Sequence, residues 1–270
     1  MRDAPEKESQ ILAREQALRA WFTRDADPVL AQVDGLDIGW GGVQRWATSQ
    51  MPSLGKGLHL DMACGYATFL AQLGWRFPSA RLVGLNIDFD GPHALARPLL
   101  AEAGVVAMLV QADAQQMPFA NGTFESVSCF LGLQDIEIGF GQEGVQEAVA
   151  EAVRVLCPGG VLSLLDEFTF EQFDALLEKL PVTVIGRGEK ELDIRWNRQV
   201  AERAIALYAE GWVAQTRFAD RSAQAQTCNE VRRRMTAKME QQLALHGYYV
   251  PFGPGHMVVT QLNSMEKLLS

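Results

Sequence analysis

The sequence lacks the features that would mark several common classes of protein. Its 270 residues carry 24 lysines and arginines against 33 aspartates and glutamates, a formal net charge of −9. Such a chain offers no broad basic surface for nucleic acid or an anionic membrane. The short basic run Arg232–Arg234 lies between Glu230 and Glu240 and is typical of a solvated helix face. No apolar run approaches the roughly 20 residues of a membrane span. These absences favour a small-molecule ligand.

Cysteine is also scarce. The four cysteines, Cys64, Cys129, Cys157 and Cys228, show no Cys-x-x-Cys spacing, which argues against both a zinc site and a disulfide framework. No pair of the four histidines has metal-ligand spacing either. Free thiols are typical of a reducing compartment, and the first ten residues are charged rather than apolar. We therefore expect a cytoplasmic protein without a bound metal.

From Gly57 onward, short apolar segments alternate with amphipathic helical patterns. This alternation predicts an α/β fold, a doubly wound and mostly parallel sheet covered on both faces. Strands are predicted at 57–62, 81–87, 107–111, 124–130, 160–167, 181–185 and 255–262. Helices are predicted at 68–76, 91–103, 144–156, 170–180, 198–214 and 223–246.

The two ends of the chain suggest a cap over this sheet. Residues 6–22 have apolar side chains at helical spacing, and the glycine-rich segment 35–42 predicts a lid or, equally, a plain turn. We expect an N-terminal helical cap at 1–50 and a second domain at 51–270. A helical insertion at about 195–250 is expected to pack over the C-terminal edge of the sheet.

The most informative segment is Leu58–Thr68, a buried strand that breaks into a turn of small residues and opens a helix. Parallel sheets bind nucleotide-like ligands at such turns. Ala63 and Gly65 allow a ligand to approach the backbone closely, and Asp61 places a carboxylate at the strand end.

Polar residues also follow the next two strands. Asn86 and Asp88 come after the second strand and lean to the same side of an extended chain. Asp113 and Ala114 come after the third, where a carboxylate and a backbone amide suit an exocyclic amine and a ring nitrogen. Further along, the segment 154–160 ends a helix with a Pro-Gly-Gly turn.

Taken in order, these motifs resemble those of the class I S-adenosylmethionine-dependent methyltransferases, over about residues 58–167. The closest branch methylates small metabolites, including quinones. The resemblance implies a Rossmann-like sheet of seven strands with the last antiparallel, S-adenosyl-L-methionine as cofactor and S-adenosyl-L-homocysteine as product. It also implies a set of cofactor-binding residues: Asp61, Ala63 and Gly65 at the methionine moiety, Asn86 at the ribose, Asp113 and Ala114 at the adenine, and Cys129 beside the sulfonium.

Two positions depart from the family pattern. Asn86 stands where the family usually has an acidic residue that binds both ribose hydroxyls, so Asp88 is a second candidate for that contact. Asn86 as a turn residue without a ligand is the alternative. Ala67 replaces the usual third glycine, which should tighten the pocket.

Methyl transfer requires mainly alignment of the acceptor and exclusion of water. A general base is needed only for an acidic hydroxyl or a carbon acceptor. The candidates are Asp135, Glu167 and His256, and each is also explained as a capping or structural residue. Of the other histidines, His59 is expected to be a structural sheet residue and His93 a surface residue.

Aromatic residues in the loops and inserted helices suit an apolar or aromatic acceptor, although core packing also explains most of them. They are Trp40, Tyr66, Phe130, Phe140, Trp196, Trp212, Tyr248 and Tyr249.

The sequence therefore predicts an enzyme that transfers a methyl group from S-adenosylmethionine to a small organic metabolite at oxygen, nitrogen or carbon. A homodimer is compatible with it. One alternative is a catalytically silent cofactor-binding partner, for which Ala67 and Asn86 argue. Another is a nicotinamide-dependent oxidoreductase, which the absence of Gly-x-Gly-x-x-Gly and of Tyr-x-x-x-Lys disfavours.

Overall fold

A computed structural model describes residues 8–215 and 221–263. The ends of the two predicted domains, 1–7 and 264–270, lie outside this range, as do the first residues of the predicted N-terminal helix. The seven strands of the sheet are β1 (Leu58–Met62), β2 (Arg81–Asn86), β3 (Ala107–Gln111), β4 (Phe124–Phe130), β5 (Leu156–Asp166), β6 (Val182–Lys190) and β7 (Gly255–Leu262).

These strands form one sheet in the order β3-β2-β1-β4-β5-β7-β6. Strands β1 to β5 pair in parallel, and β7 pairs antiparallel with both β5 and β6. The predicted doubly wound α/β fold, with its antiparallel last strand, is confirmed. The nine α-helices in the described residues are α1 (Glu8–Phe22), α2 (Pro28–Asp34), α3 (Val43–Gln50), α4 (Thr68–Arg76), α5 (Ala96–Ala103), α6 (Leu133–Val155), α7 (Phe170–Leu177), α8 (Arg198–Gln215) and α9 (Arg221–His246).

Two predicted boundaries were wrong around the fifth strand. Helix α6 begins at Leu133 rather than 144, because two helical pieces join across Gly141, whose backbone leaves the helical region at φ 73° and ψ −174°. Strand β5 begins at Leu156 rather than 160. Leu156 pairs with Phe124 before an irregularity shifts the register to Val161 opposite Ser126.

The sheet buries both faces, and alternation along β1 assigns its side chains between them. Leu60 and Met62 join the apolar core beneath α6 and α7. His59 and Asp61 lie on the opposite face, where the neighbouring core residues belong to α3, α4 and the cap. This second face therefore carries a buried polar stripe.

Helices that precede β1 pack against helices of the sheet and against helices that lie between β6 and β7. Helix α1 contacts α4 and α5, and α8 packs against α2 and α9. Trp196, before α8, forms an isolated antiparallel bridge with Tyr249, after α9. This bridge thus holds together the two ends of the predicted insertion, before α8 and after α9. Within the described residues, no helix combines the length and the hydrophobicity needed to cross a bilayer.

Candidate functional site

The strand order reverses between β1 and β4, because β2 lies on one side of β1 and β5 lies beyond β4. In open α/β sheets, ligands bind at the carboxyl ends of the strands at such a switch point. The sheet topology therefore predicts a ligand site at the turns that follow β1 and β4.

The turn after β1 has an unusual backbone. Ala63, Gly65 and Ala67 have φ values of 55°, 48° and 64°, in a left-handed region that costs non-glycine residues energy and often marks functional sites. Among the described residues, a Cβ at Gly65 would meet only one atom within 4 Å, Nε2 of His93 at 3.9 Å. The Gly65 backbone therefore borders open space, at the entrance to helix α4.

The turn after β4 packs directly against it. Leu131 also has a left-handed backbone, with φ 55°. A Cβ at Gly132 would collide with Cβ of Ala63 and crowd Sγ of Cys129. The fold thus brings Ala63 and Cys129 close together around Gly132, and their roles in cofactor binding remain predictions.

At the end of β2, Asn86 is almost fully buried and its amide is engaged on both sides. Its Oδ1 accepts from the Gly65 N–H at 3.3 Å, and its Nδ2 donates to the Asp88 carbonyl at 2.6 Å. Nδ1 of His93 lies 3.1 Å from Asn86 Nδ2 and 3.2 Å from Asp88 Oδ1. Asn86 therefore ties the loop after β2 to the turn after β1.

Sequence reasoning missed the part that His93 plays in this cluster. The expected surface histidine is half-buried, and its ring stands edge-on to Tyr66 with centroids 5.3 Å apart. The available signal was its position five residues beyond Asp88, in the short helix Gly91–Leu95 that follows β2. Asn86, Asp88 and His93 together place polar atoms beside Gly65, and we call them the β2-end cluster.

The end of β3 adjoins the same region. The Ala112 N–H donates to the Asn86 carbonyl at 2.9 Å. Oδ1 of Asp113 accepts from the Gln115 N–H at 2.8 Å, and Ala114 is buried. The predicted adenine-side residues thus lie next to the predicted ribose-side residue, and Asp113 also shapes its own turn.

Asp61 lies beneath the β1 turn and is almost completely buried. Its Oδ1 accepts a 2.6 Å hydrogen bond from Ser128 Oγ on β4. Burial raises the pKa of Asp61 to about 7, although the Ser128 hydrogen bond opposes the shift. A carboxyl group that titrates near neutral pH is therefore held directly under the candidate cofactor site.

We expect Asp61→Asn to flatten the dependence of stability on pH. Between about pH 3.9, the usual pKa of an unfolded aspartate, and pH 7, the folded protein holds a proton that the unfolded chain has lost. This contribution to stability is full below that range and is lost as the pH rises through 7. As the pH rises over this range, the free energy of unfolding should fall less steeply in the variant than in the wild type, by up to about 1.4 kcal/mol per pH unit. Urea unfolding at pH 5, 6 and 7 measures both slopes, and parallel slopes would contradict the assignment.

The three predicted base candidates have different surroundings. Glu167 accepts from the Gly253 N–H at 2.7 Å, and so anchors the loop before β7. His256 lies 3.6 Å from Glu189 Oε2 across β6, and its ring stands edge-on to Phe170. Both have structural partners, and their catalytic roles remain predictions.

Asp135 differs because it is exposed in the first turn of α6, directly after the β4 turn. Partial desolvation raises its pKa, while the charge of His93 opposes the shift. It also acts on Asp37, whose pKa burial raises to about 7. The charge of Asp135 therefore interacts both with His93 and with Asp37 of the 35–42 segment.

Segment 35–42 is packed down rather than extended as a loop. It ends in a 3-10 helix, Trp40–Gly42, and Trp40 stacks on Phe252 and stands edge-on to Phe130. Nε2 and Oε1 of Gln44 hold the Asp37 carbonyl and the Gly39 N–H. The lid interpretation is compatible with this contact to the end of β4.

Not every predicted aromatic residue faces the crevice. Trp196 and Tyr249 are fully buried in the cap, whereas Phe140 is exposed. The Trp212 side chain lies outside the described set. In the part of the chain that the structure describes, no group of three or more histidine, cysteine or acidic side chains is placed to hold a metal ion.

Comparison with known proteins supports the same interpretation. Residues 60–164 match the family model described as a methyltransferase domain. The demethylmenaquinone methyltransferase of Thermus thermophilus is 33% identical over 108 residues, which are 40% of this chain and 46% of that protein. The ubiquinone/menaquinone biosynthesis C-methyltransferase UbiE of Saccharophagus degradans is 39% identical over 104 residues, 38% of each chain.

The fold agrees with solved structures. A geranyl diphosphate methyltransferase in complex with S-adenosylmethionine superposes with a TM-score of 0.52 at 11% identity, covering 92% of this chain and 94% of the other. The chain spans less than half the length of the two curated relatives. The matched segment nevertheless includes β2 to β4 and most of β1 and β5. Over residues 60–164 the chain is thus similar to the methyltransferase domain family, and its fold is that of the S-adenosylmethionine-bound neighbour.

Proposed function

We propose that this protein transfers a methyl group from S-adenosylmethionine to a small organic acceptor. The observation that carries the proposal is the contact between the open, left-handed turn at Gly65 and the turn after β4, at the switch point of the sheet. The positions that the resemblance assigns to the cofactor lie at the ends of β1 to β4 or in the turns after them, which supports the proposal. A cytoplasmic location and a homodimer remain predictions.

The residues present fit the cofactor chemically. The sulfonium and the ammonium of S-adenosylmethionine are positively charged. The candidate site has three carboxyl groups, Asp37, Asp61 and Asp135, and one basic side chain, His93, whose charge interacts with Asp135. Gly65 leaves room for a ligand against the backbone. Bound there, the cofactor would supply an electrophilic methyl group.

Each part of the cofactor has a proposed set of contacts. Asp61, Ala63 and Gly65 would hold the methionine moiety, and the backbone at Cys129 would lie beside the sulfonium. The β2-end cluster would bind the ribose. Asp113 and Ala114 would bind the adenine.

The remaining steps belong to the protein side chains. The 35–42 segment, through Trp40, would exclude water from the β4 end. Asp135 would accept a proton from an acidic hydroxyl or carbon acceptor, since partial desolvation strengthens it as a base. Glu167 and His256 remain alternative bases.

The relatives named for menaquinone and ubiquinone biosynthesis make a hydroxylated aromatic ring the first acceptor class to test. Calorimetry with S-adenosylmethionine and S-adenosylhomocysteine tests cofactor binding. Mass spectrometry then tests methylation of naphthoquinols, phenols and amines. We expect binding and transfer to an aromatic acceptor. Lack of binding at millimolar ligand would contradict the proposal, and binding without transfer to any of these acceptors would favour the silent-partner alternative.

His93→Ala is expected to weaken S-adenosylhomocysteine binding about tenfold, equivalent to one hydrogen bond of about 1.4 kcal/mol. The reason is that His93 Nε2 faces the Gly65 turn while its Nδ1 is held by Asn86 and Asp88. The wild type should prefer the ribose ligand over its 2′-deoxy analogue, and the variant should lose part of this preference.

Leu95→Ala is the matched control, because Leu95 belongs to the same short helix and is exposed. It should bind both ligands like the wild type. Equal discrimination by the wild type and His93→Ala would remove His93 from the ribose site.

A further inference from the structure

A continuous chain of buried hydrogen bonds crosses from β4 to β1. Ser126 Oγ lies 2.8 Å from His59 Nδ1, and His59 Nε2 lies 2.9 Å from Ser128 Oγ. Ser128 Oγ then donates to Asp61 Oδ1 at 2.6 Å. The parallel register pairs His59 with Ser126 and Asp61 with Ser128, so all four side chains share one face of the sheet.

The Ser126 end of this chain opens on a cavity at the opposite edge of the sheet from the β1 turn. The cavity has a volume of about 70 Å³ and is lined in part by Ser126, Ser163 and Glu125. Ser163 is 3% exposed and its buried hydroxyl has no hydrogen-bond partner within the described structure. Apolar residues such as Met51, Leu54 and Val161 form the rest of the wall. The serine hydroxyls and Glu125 give water in a cavity of this size its polar partners, and Glu125 is exposed to solvent.

All the hydrogen-bond donors along this series of four side chains can point in the same direction. With Asp61 ionised, Ser126 donates to His59 Nδ1, Nε2–H donates to Ser128, and Ser128 donates to Asp61. If the cavity gives a proton to Ser126 and each group passes one proton onward, Asp61 becomes protonated. Every bond then reverses, so that Asp61 donates to Ser128, Ser128 to Nε2, and Nδ1–H to Ser126. Both serines and the imidazole keep their proton number, and Asp61 gains one.

We propose that Ser126, His59 and Ser128 form a proton path that carries one proton between Asp61 and this cavity when the cofactor binds and leaves. The inference rests on the proposed function, because a cationic cofactor supplies the reason for Asp61 to ionise. A bound ligand at the Gly65 turn would cover the crevice side of Asp61, which is already 1% exposed. The proton then leaves through the sheet.

The titration properties of the path agree with this direction. Burial raises the pKa of Asp61 to about 7, so it exchanges a proton near neutral pH. Burial lowers the pKa of His59 to about 3, so the imidazole stays neutral at both ends of the transfer. The path therefore works by proton relay and holds no lasting charge.

Other ionisable groups also lie near the path. Burial raises the pKa of Asp37 and of Asp166 to about 7, and Asp166 accepts from the backbone N–H groups of Leu133 and Glu167, outside the hydrogen-bond chain. The thiols of Cys64 and Cys129 both interact with Asp61, and burial raises the pKa of each so that it stays neutral. Over this face, Glu15 on α1 pairs with Arg45 on α3. Glu8 on α1 pairs with Arg76 on α4.

Two measurements at pH 7 test the path. Calorimetry of S-adenosylmethionine binding in buffers of different ionisation enthalpy counts the protons released, and we expect up to one per cofactor for the wild type. Stopped-flow fluorescence with a pH indicator then compares the rate of cofactor binding with the rate of proton release. In Ser126→Ala and in His59→Gln, proton release should be at least tenfold slower than cofactor binding. Ser126→Ala, the smaller change, keeps the test open if His59→Gln does not fold.

Thr260→Val is the matched control, because Thr260 is a fully buried sheet residue with an unpartnered hydroxyl outside the path. It should release its proton as fast as the wild type. Cofactor binding without proton release by the wild type, or unchanged release in both path variants, would overturn the path and leave the proposed function standing. Absence of cofactor binding by the wild type would overturn the proposed function, and the path with it.

Discussion

Gly65→Val is expected to weaken the binding of S-adenosylhomocysteine by at least about 100-fold, equivalent to about 2.7 kcal/mol, and to abolish methyl transfer. Gly65 has φ 48° and borders open space, and His93 is the only residue of the described structure within 4 Å of a Cβ there. A valine side chain would therefore extend into the space proposed for the methionine moiety. A β-branched residue in this region also costs about 1–3 kcal/mol in backbone strain. Calorimetry measures the affinity, and thermal unfolding measures the strain.

Gly104→Val separates these two effects. Gly104 has φ 66°, caps the end of α5 and is exposed, and no atom of the described residues lies within 4 Å of a Cβ placed there. This variant should carry a similar strain, with a similar fall in melting temperature, while it binds the cofactor like the wild type. A Gly65→Val protein that keeps wild-type affinity would move the cofactor away from the β1 turn.

Trp196→Ala is expected to lower the free energy of unfolding by about 3–5 kcal/mol, the usual cost of truncating a buried tryptophan. Trp196 is 1% exposed, and its ring packs against Tyr208 and Tyr249. Tyr208 contacts Phe252, and Phe252 stacks on Trp40. The cavity left by removal of the Trp196 ring would therefore loosen the packing between the inserted helices and the 35–42 segment. Urea unfolding measures the loss.

Trp196→Phe is a gentler companion change. Nε1 of Trp196 is buried without a partner among the described residues, and an unsatisfied donor costs about 1–3 kcal/mol. Phenylalanine loses packing area but removes this donor, so we expect stability within about 1.5 kcal/mol of the wild type. A loss as large as that of Trp196→Ala would show that the indole nitrogen is hydrogen-bonded.

Much of the fold followed from local pattern. The alternation of short apolar strands with amphipathic helices predicted the α/β sheet, and the bounds of β3, β4, β7 and α4 agree with the prediction. Regions with weak local signals failed. Gly139 and Gly141 interrupt the apolar pattern before residue 144, so the first part of α6 was missed, although contacts beneath the sheet bury Leu133 and Ile136.

The sequence by itself determined the class of fold and the order of the motifs, because hydrophobic periodicity and small-residue turns are local properties of the chain. Only the tertiary structure decided which polar groups meet. His93 joins Asn86 and Asp88 because a short helix folds back over the strand end. His59 joins Ser126 and Ser128 because β1 and β4, 67 and 69 residues apart at these contacts, are neighbours in one register. Contacts of this kind depend on strand order and pairing, which no local pattern specifies.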